Sequence, residues 1–338
     1  MPLLSDLDTP CLLVERDRLD ANLRRMQEKA ERNGVALRPH IKTHKSVALA
    51  RRQRDLGARG VTVAKPAEAE VFAAAGFEDV RIAYVVVGAA KWKRLLRLMD
   101  RGTRVSFCVD TLEGARAASA FFAAQGAAAE VLLEVDTGHG RCGVRWDHPD
   151  APALVRRLRD LPGLRLVGLL THGGQAYRGP QAGETEAAAL ERAMREERDR
   201  LLDLAVRLHE ADGLDADAAL SVGSTPTMAA FENAERGPFA ITEIRPGNYV
   251  FHDAEQVALG AARLADCALT VYATVVSKQP DGLGGSRLFL DAGKKVLTTD
   301  TGYGTKGFGT LLYDPRRMTP LPHAELAALS EEHGWVRV

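Results

Sequence analysis

The amino-acid sequence predicts an α/β protein: a closed (β/α)8 TIM-type barrel followed by a C-terminal β domain. Three observations lead there. Between residues 36 and 247, eight short runs rich in apolar and β-branched residues recur along the chain. Stretches of helical periodicity separate these runs, which is the pattern of a parallel sheet whose strands are buried on both faces. After residue 255 the long helices stop, and alternating strand-like segments divided by turn residues take over.

The first element is a helix over RDRLDANLRRMQEKAERNG (16–34), with Leu19, Leu23, Met26 and Ala30 on one face. The eight runs follow: ALRPHIK (36–42), GVTVAK (60–65), VRIAYVV (80–86), RVSFCVD (104–110), EVLLEVD (130–136), LRLVGLLTH (164–172), ALSVGST (219–225) and ITEIRPG (241–247). Between them SVALARRQRDLG, AEAEVFAAAG and TLEGARAASAFFAAQG place small or apolar residues at i, i+3 and i+4 and end on glycine, as helices do. ADCALTVYATVVSKQP (265–280) and SRLFLDAGKKVLTT (286–299) then alternate like strands around the turn PDGLGG. The expected domains are 1–255 and 256–338, the second reading as incomplete because the chain stops on the strand-like GWVRV.

Bulk properties exclude several function classes. In 338 residues, 45 Lys and Arg balance 45 Asp and Glu, so no electrostatic footprint for nucleic acid exists and a small-molecule partner is expected. Cys11, Cys108, Cys142 and Cys267 lie far apart without metal-ribbon spacing, which points to a reducing compartment. The N-terminus lacks a basic signal region, and no apolar run reaches the ~18 residues of a membrane span. A cytoplasmic protein that uses no membrane is the expectation.

Barrel enzymes place their chemistry where strands end, and Lys42, Lys65, Asp110, Asp136, His172, Ser224, Thr225 and Arg245 all fall there. Polar residues also end strands simply as helix caps or solvated loops. Lys42 and His172, however, interrupt otherwise apolar runs. A lysine desolvated at a barrel mouth has a lowered pKa and a free amine that condenses with a carbonyl; Lys45 is expected in the next helix start, facing solvent. His40 and His44 lack a nearby third metal ligand. In SVGSTPTMAA, a strand runs into Ser224 and Thr225 and then a helix start, which is either a phosphate cradle or a plain cap. Gly247 and Asn248 in RPGNYVFHD end the next strand, and TGHGRCGV sets Arg141 in a glycine-rich loop. GYGTKG (302–307) matches a dinucleotide fingerprint only formally, since no strand–helix context surrounds it, and reads as a loop.

Taken together, these stretches resemble the D-serine dehydratase and D-threonine aldolase family of fold-type III pyridoxal-phosphate enzymes, whose barrel is alanine racemase-like. RPHIKTHK is similar to its Schiff-base motif, TGHGRCGV to its arginine loop, SVGSTPT and RPGNYVFHD to its phosphate loops, and LSEEHG to its C-terminal signature. The resemblance implies pyridoxal 5'-phosphate on Lys42, Arg141 toward the pyridine ring, and Ser224, Thr225, Gly247 and Asn248 at the phosphate. It also implies a D-amino acid substrate, a homodimer, and a divalent metal (Zn or Mn) acting on the β-oxygen.

The sequence departs from the family pattern twice. It ends five residues after His333, ahead of the family's metal pair, so the metal ligands stay unassigned and the metal is expected only with a further C-terminal segment. In THGGQAY, Ala176 stands where aldolases of the family carry histidine. The second departure favours a D-serine dehydratase-like lyase, giving pyruvate and ammonia, over a D-threonine aldolase giving glycine and an aldehyde. His172 and Tyr177 are the candidate acid–base groups. An amino-acid racemase, a non-catalytic pyridoxal-phosphate carrier and a bare-lysine aldolase are the remaining alternatives.

Overall fold

A computed structural model describes residues 4–280, 285–314 and 316–338; most of the PDGLGG turn lies outside them. Two compact units make up the chain, one of residues Leu23–Tyr249 and one joining residues up to Asn22 with Val250–Val338.

The first unit holds all eight expected strands: Ala36–Leu37, Val61–Val63, Asp79–Val85, Arg104–Val109, Ala129–Asp136, Leu164–Thr171, Ala219–Val222 and Glu243–Ile244. They run parallel, each beside its sequence neighbour from the second to the eighth, and the eighth pairs with the first. The ring closes between first and second strands through a parallel bridge, His40 to Thr62, with Arg59 N–H on Leu37 C=O at 2.8 Å and Thr62 N–H on Pro39 C=O at 2.9 Å. The fifth strand is buried from Ala129 to Val135, which is why it reads as one apolar run. Helices start on side-chain caps: Ser46 accepts from Leu49 N–H, Thr111 from Gly114 N–H and Thr185 from Ala188 N–H.

Charged residues inside the strands fill the barrel interior. Glu243 takes Arg38 Nε at 2.5 Å on one oxygen and Arg81 at 2.6 Å on the other, and Ser221 Oγ also donates to it. Arg38 forks onto Asp79 at 2.7 and 2.8 Å, and Arg81 reaches Ser106 at 3.1 Å. Burial alone raises the Glu243 carboxyl, but Arg81 and Arg38 outweigh it and hold the group at about 2.

The second unit contains a four-stranded antiparallel sheet in the order Val275–Pro280, Ser286–Leu290, Gly334–Arg337, Glu325–Leu329. Leu326, Leu329 and Val336 form its core with Leu288, Leu290, Phe308 and Leu311. A separate pair joins Cys11–Val14 to Leu269–Tyr272. The run expected over 286–299 is a strand only to Leu290. There Asp291 accepts Thr274 N–H at 2.8 Å, and Val296 and Leu297 N–H turn back onto Gly293 C=O. Gly302–Gly307 is loop, with Gly304 and Gly307 at positive φ.

Candidate active site

The C-terminal ends of the barrel strands bring the sequence-selected residues into neighbouring loops. After the first strand a 3-10 turn, Ile41–Thr43, is pinned by buried Ile41 and by Lys42 N–H on His40 Nδ1 at 3.4 Å. Lys42 therefore stands in a turn just past the strand rather than in it, with its side chain reachable from solvent. Crowding by protein atoms, then the charges of Arg141 and Arg245, lower its amine pKa, opposed by Glu68. Lys45 is not in a helix start: it occupies a left-handed turn position (φ 48°), is 64% exposed, and pairs with Glu68 at 3.1 Å.

Asp136 shapes the glycine-rich loop by accepting Gly138 and Gly140 N–H at 2.9 and 3.0 Å. A Cβ on Gly143 would meet Glu134 backbone atoms at 2.9 Å, so this turn requires glycine. Arg141 is half exposed and lies 3.5 Å from Glu134, which also accepts Cys142 Sγ–H at 3.0 Å. Asp110 accepts Gly143 N–H at 3.3 Å, and Lys65 sits over the Tyr84 ring at 4.0 Å.

His172 directly follows the sixth strand. Its Nδ1 is 3.2 Å from Gly223 C=O, an oxygen that can only accept, so Nδ1 carries the proton and Nε2 keeps a lone pair. Burial, followed by the charges of Lys42 and Arg141, lowers its pKa to about 3, leaving the ring neutral. His139 meets it edge-on at 5.8 Å and Tyr177 lies at 6.4 Å between ring centres. Ala176 is buried in the 3-10 turn Gly174–Arg178.

Ser224 caps the short helix Thr225–Ala229 in a reciprocal box with Thr227, and its Oγ–H reaches Gly173 C=O at 3.1 Å. Thr225 Oγ1 accepts Tyr249 N–H at 3.1 Å, leaving its own hydrogen to donate. The cap reading of this motif is thus realised, beside whatever else the hydroxyls hold. A Cβ on Gly247 would come within 2.7 Å of His40 C=O and 3.1 Å of Thr43 Oγ1, so glycine lets this loop lie against the Lys42 turn. Asn248 follows, partly buried.

These loops fit pyridoxal phosphate by their chemistry: an amine of lowered pKa for an aldehyde, the half-exposed Arg141 guanidinium for an anionic oxygen, neutral histidines, and glycines where backbone approaches closely. Family models agree. The alanine racemase N-terminal domain matches residues 14–255, and a putative serine dehydratase domain matches 268–338. The chain belongs to the D-serine dehydratase and D-threonine aldolase family of fold-type III pyridoxal-phosphate lyases. Within this family, D-threo-3-hydroxyaspartate dehydratase of Delftia sp. (strain HT23) is 37% identical over 98% of this chain and 84% of its own length. A D-threonine aldolase of Arthrobacter sp. is 36% identical over 99% and 81%. The solved structure of the Delftia dehydratase superposes with a TM-score of 0.87 at 36% identity, covering 99% of this chain and 85% of that one. Among the described residues, no group of three His, Cys, Asp or Glu is arranged to hold a metal ion.

Three residues near these loops were not selected from the sequence. His139 is hidden by its glycine-rich surroundings. Arg245, noted as a strand-end residue but assigned no role, is buried, reaches Ser221 and Thr171 C=O, and has its pKa lowered to about 10 by burial. Glu197, in the helix Glu186–Glu210, shares the apolar phase of Leu190, Ala193, Met194 and Leu201, and a charge at that phase was the available signal.

Proposed function

We propose that this lyase removes water from a D-3-hydroxy amino acid, so that hydrolysis yields a 2-oxo acid and ammonia, with a 3-hydroxyaspartate-type substrate ahead of D-serine. The observation that carries dehydration over retro-aldol cleavage is buried Ala176, which offers no base for the β-hydroxyl beside His172. D-serine is the substrate the sequence alone favours; the 37% identity to a D-threo-3-hydroxyaspartate dehydratase supports the larger one.

In this reading Lys42 provides the amine that binds the cofactor aldehyde, and Thr225, Ser224, Gly247 and Asn248 face its phosphate. When bound, pyridoxal phosphate supplies an electron sink for the Cα carbanion. Arg141 lies toward the ring side. His172, neutral and with Nδ1–H held by Gly223 C=O, presents Nε2 to take a proton, and Tyr177 offers a hydroxyl on the same side. Among the described residues no group is arranged to seat the family's metal, and no step is assigned to one.

The test is to incubate the protein with pyridoxal phosphate and each of D-threo-3-hydroxyaspartate, D-serine and D-threonine, with and without a divalent cation, measuring 2-oxo acid, ammonia and glycine. Oxo acid and ammonia, fastest from hydroxyaspartate, are expected. Glycine as main product would put the aldolase reading first, which the 36% identity to a D-threonine aldolase keeps as the second.

A further inference from the structure

The loops carrying His172 and Ser224 are tied together by a carboxylate that belongs to neither. Glu197 is 1% exposed, and its Oε1 accepts both Gly173 N–H and Gly223 N–H, each at 2.7 Å. Its Oε2 accepts the Thr227 hydroxyl at 2.8 Å. The carbonyls of the same two glycines are used crosswise: Gly173 C=O takes Ser224 Oγ–H, and Gly223 C=O takes His172 Nδ1–H. A Cβ on Gly173 would lie 2.5 Å from Glu197 Oε2, so the loop backbone rests directly on the carboxylate.

We propose that Glu197 is a positioning residue for the lyase: by holding Gly173 and Gly223 on one oxygen it keeps the two loops in register, and thereby fixes the proton on His172 Nδ1 and the facing of Ser224 and Thr225. Two N–H donors converging on one oxygen ask for an acceptor with concentrated negative charge, and a carboxylate provides charge-assisted bonds about twice as strong as neutral ones. Burial pushes the Glu197 carboxyl up, while Gly223 N–H and the Thr227 hydroxyl pull it back toward the ionised form. A purely structural carboxylate would stabilise the helix against the barrel without governing the tautomer of a ring it does not touch. The claim rests on the proposed function for what the two loops do, whereas the tie itself is a property of the chain.

Three measurements on cofactor-free protein test it: backbone amide exchange at Gly173 and Gly223, imidazole 15N shifts of His172, and titration with pyridoxal phosphate. Glu197→Gln keeps an acceptor oxygen and loses the charge, so exchange at both glycines should rise about tenfold together and affinity for pyridoxal phosphate fall several-fold, with His172 still Nδ1–H. Glu197→Leu loses the tie: exchange should rise on the order of a hundredfold at both positions, His172 should become a mixture of tautomers, and cofactor affinity should drop more than about tenfold. Loosening at neither glycine, or at only one, overturns the proposal, as does an unchanged His172 tautomer in Glu197→Leu with both loops loosened. Should Glu197→Leu fail to fold, Glu197→Gln decides on exchange and affinity. A wild-type chain that takes up no pyridoxal phosphate would instead count against the functional reading, and the exchange data would still judge Glu197.

Discussion

Replacing His44 by Asn isolates the acid sensitivity of the turn that follows Lys42. His44 Nδ1 accepts Ser46 N–H at 3.0 Å, and Ser46 is the cap of the next helix, so a proton on Nδ1 removes the acceptor on which that turn is built. Burial lowers its pKa to about 4, against about 6.5 in an unfolded chain. A histidine depressed in this way is neutral in the fold. Its contribution to stability is complete above the unfolded value and declines as pH falls toward 4, because the unfolded chain binds the proton first. At about pH 5, with the two pKa values above, RT ln[(1 + 10^1.5)/(1 + 10^−1)] comes to about 2 kcal/mol lost relative to neutral pH. Asn can still accept Ser46 N–H through Oδ1 in an Asx turn, and it does not titrate. His40 and His172 are depressed too, but both proteins contain them, so they cancel in the difference. Urea unfolding at about pH 7.5 and pH 5 should show the wild type losing about 2 kcal/mol more than His44→Asn. Equal losses in the two proteins would refute the reasoning.

Lys42→Ala should abolish visible cofactor absorption and lyase activity, whereas Lys45→Ala, removing an exposed amine paired with Glu68, should retain both; borohydride reduction and peptide mapping should find the label on Lys42. Arg141→Met should slow product formation by about tenfold or more with an unchanged far-ultraviolet spectrum, since a guanidinium near reacting charge has no apolar substitute. Glu243→Gln should destabilise the barrel by about 3–5 kcal/mol in urea titrations, because Arg38 and Arg81 are left buried against a neutral amide.

The eight strands were legible because burial on both faces writes each as a nearly continuous apolar run, and Lys42 and His172 stood out as polar intrusions into such runs. Pairings across the barrel were not legible. Arg38, Arg81 and Glu243 look like isolated charges in their own segments, and only ring closure makes them partners. Lys45 was misplaced because a left-handed residue leaves no periodic trace. In SRLFLDAGKKVLTT the alternation continues past Leu290, but the Asp291 carboxylate takes Thr274 N–H and turns the chain. Glu197 needed a reading of charge against helix phase, which apolar counting passes over.

The bridge from His40 to Thr62 joins the two ends of the ring, and it lies two residues from Lys42. The first strand also depends on the eighth, Ala36 beside Glu243, about two hundred residues later in the chain. Contacts so distant in sequence are entropically costly to close and form late in folding. The Lys42 turn thus follows a segment held from both sides, by the second strand close by in the chain and by the eighth far along it, so that its surroundings are complete only when the ring is.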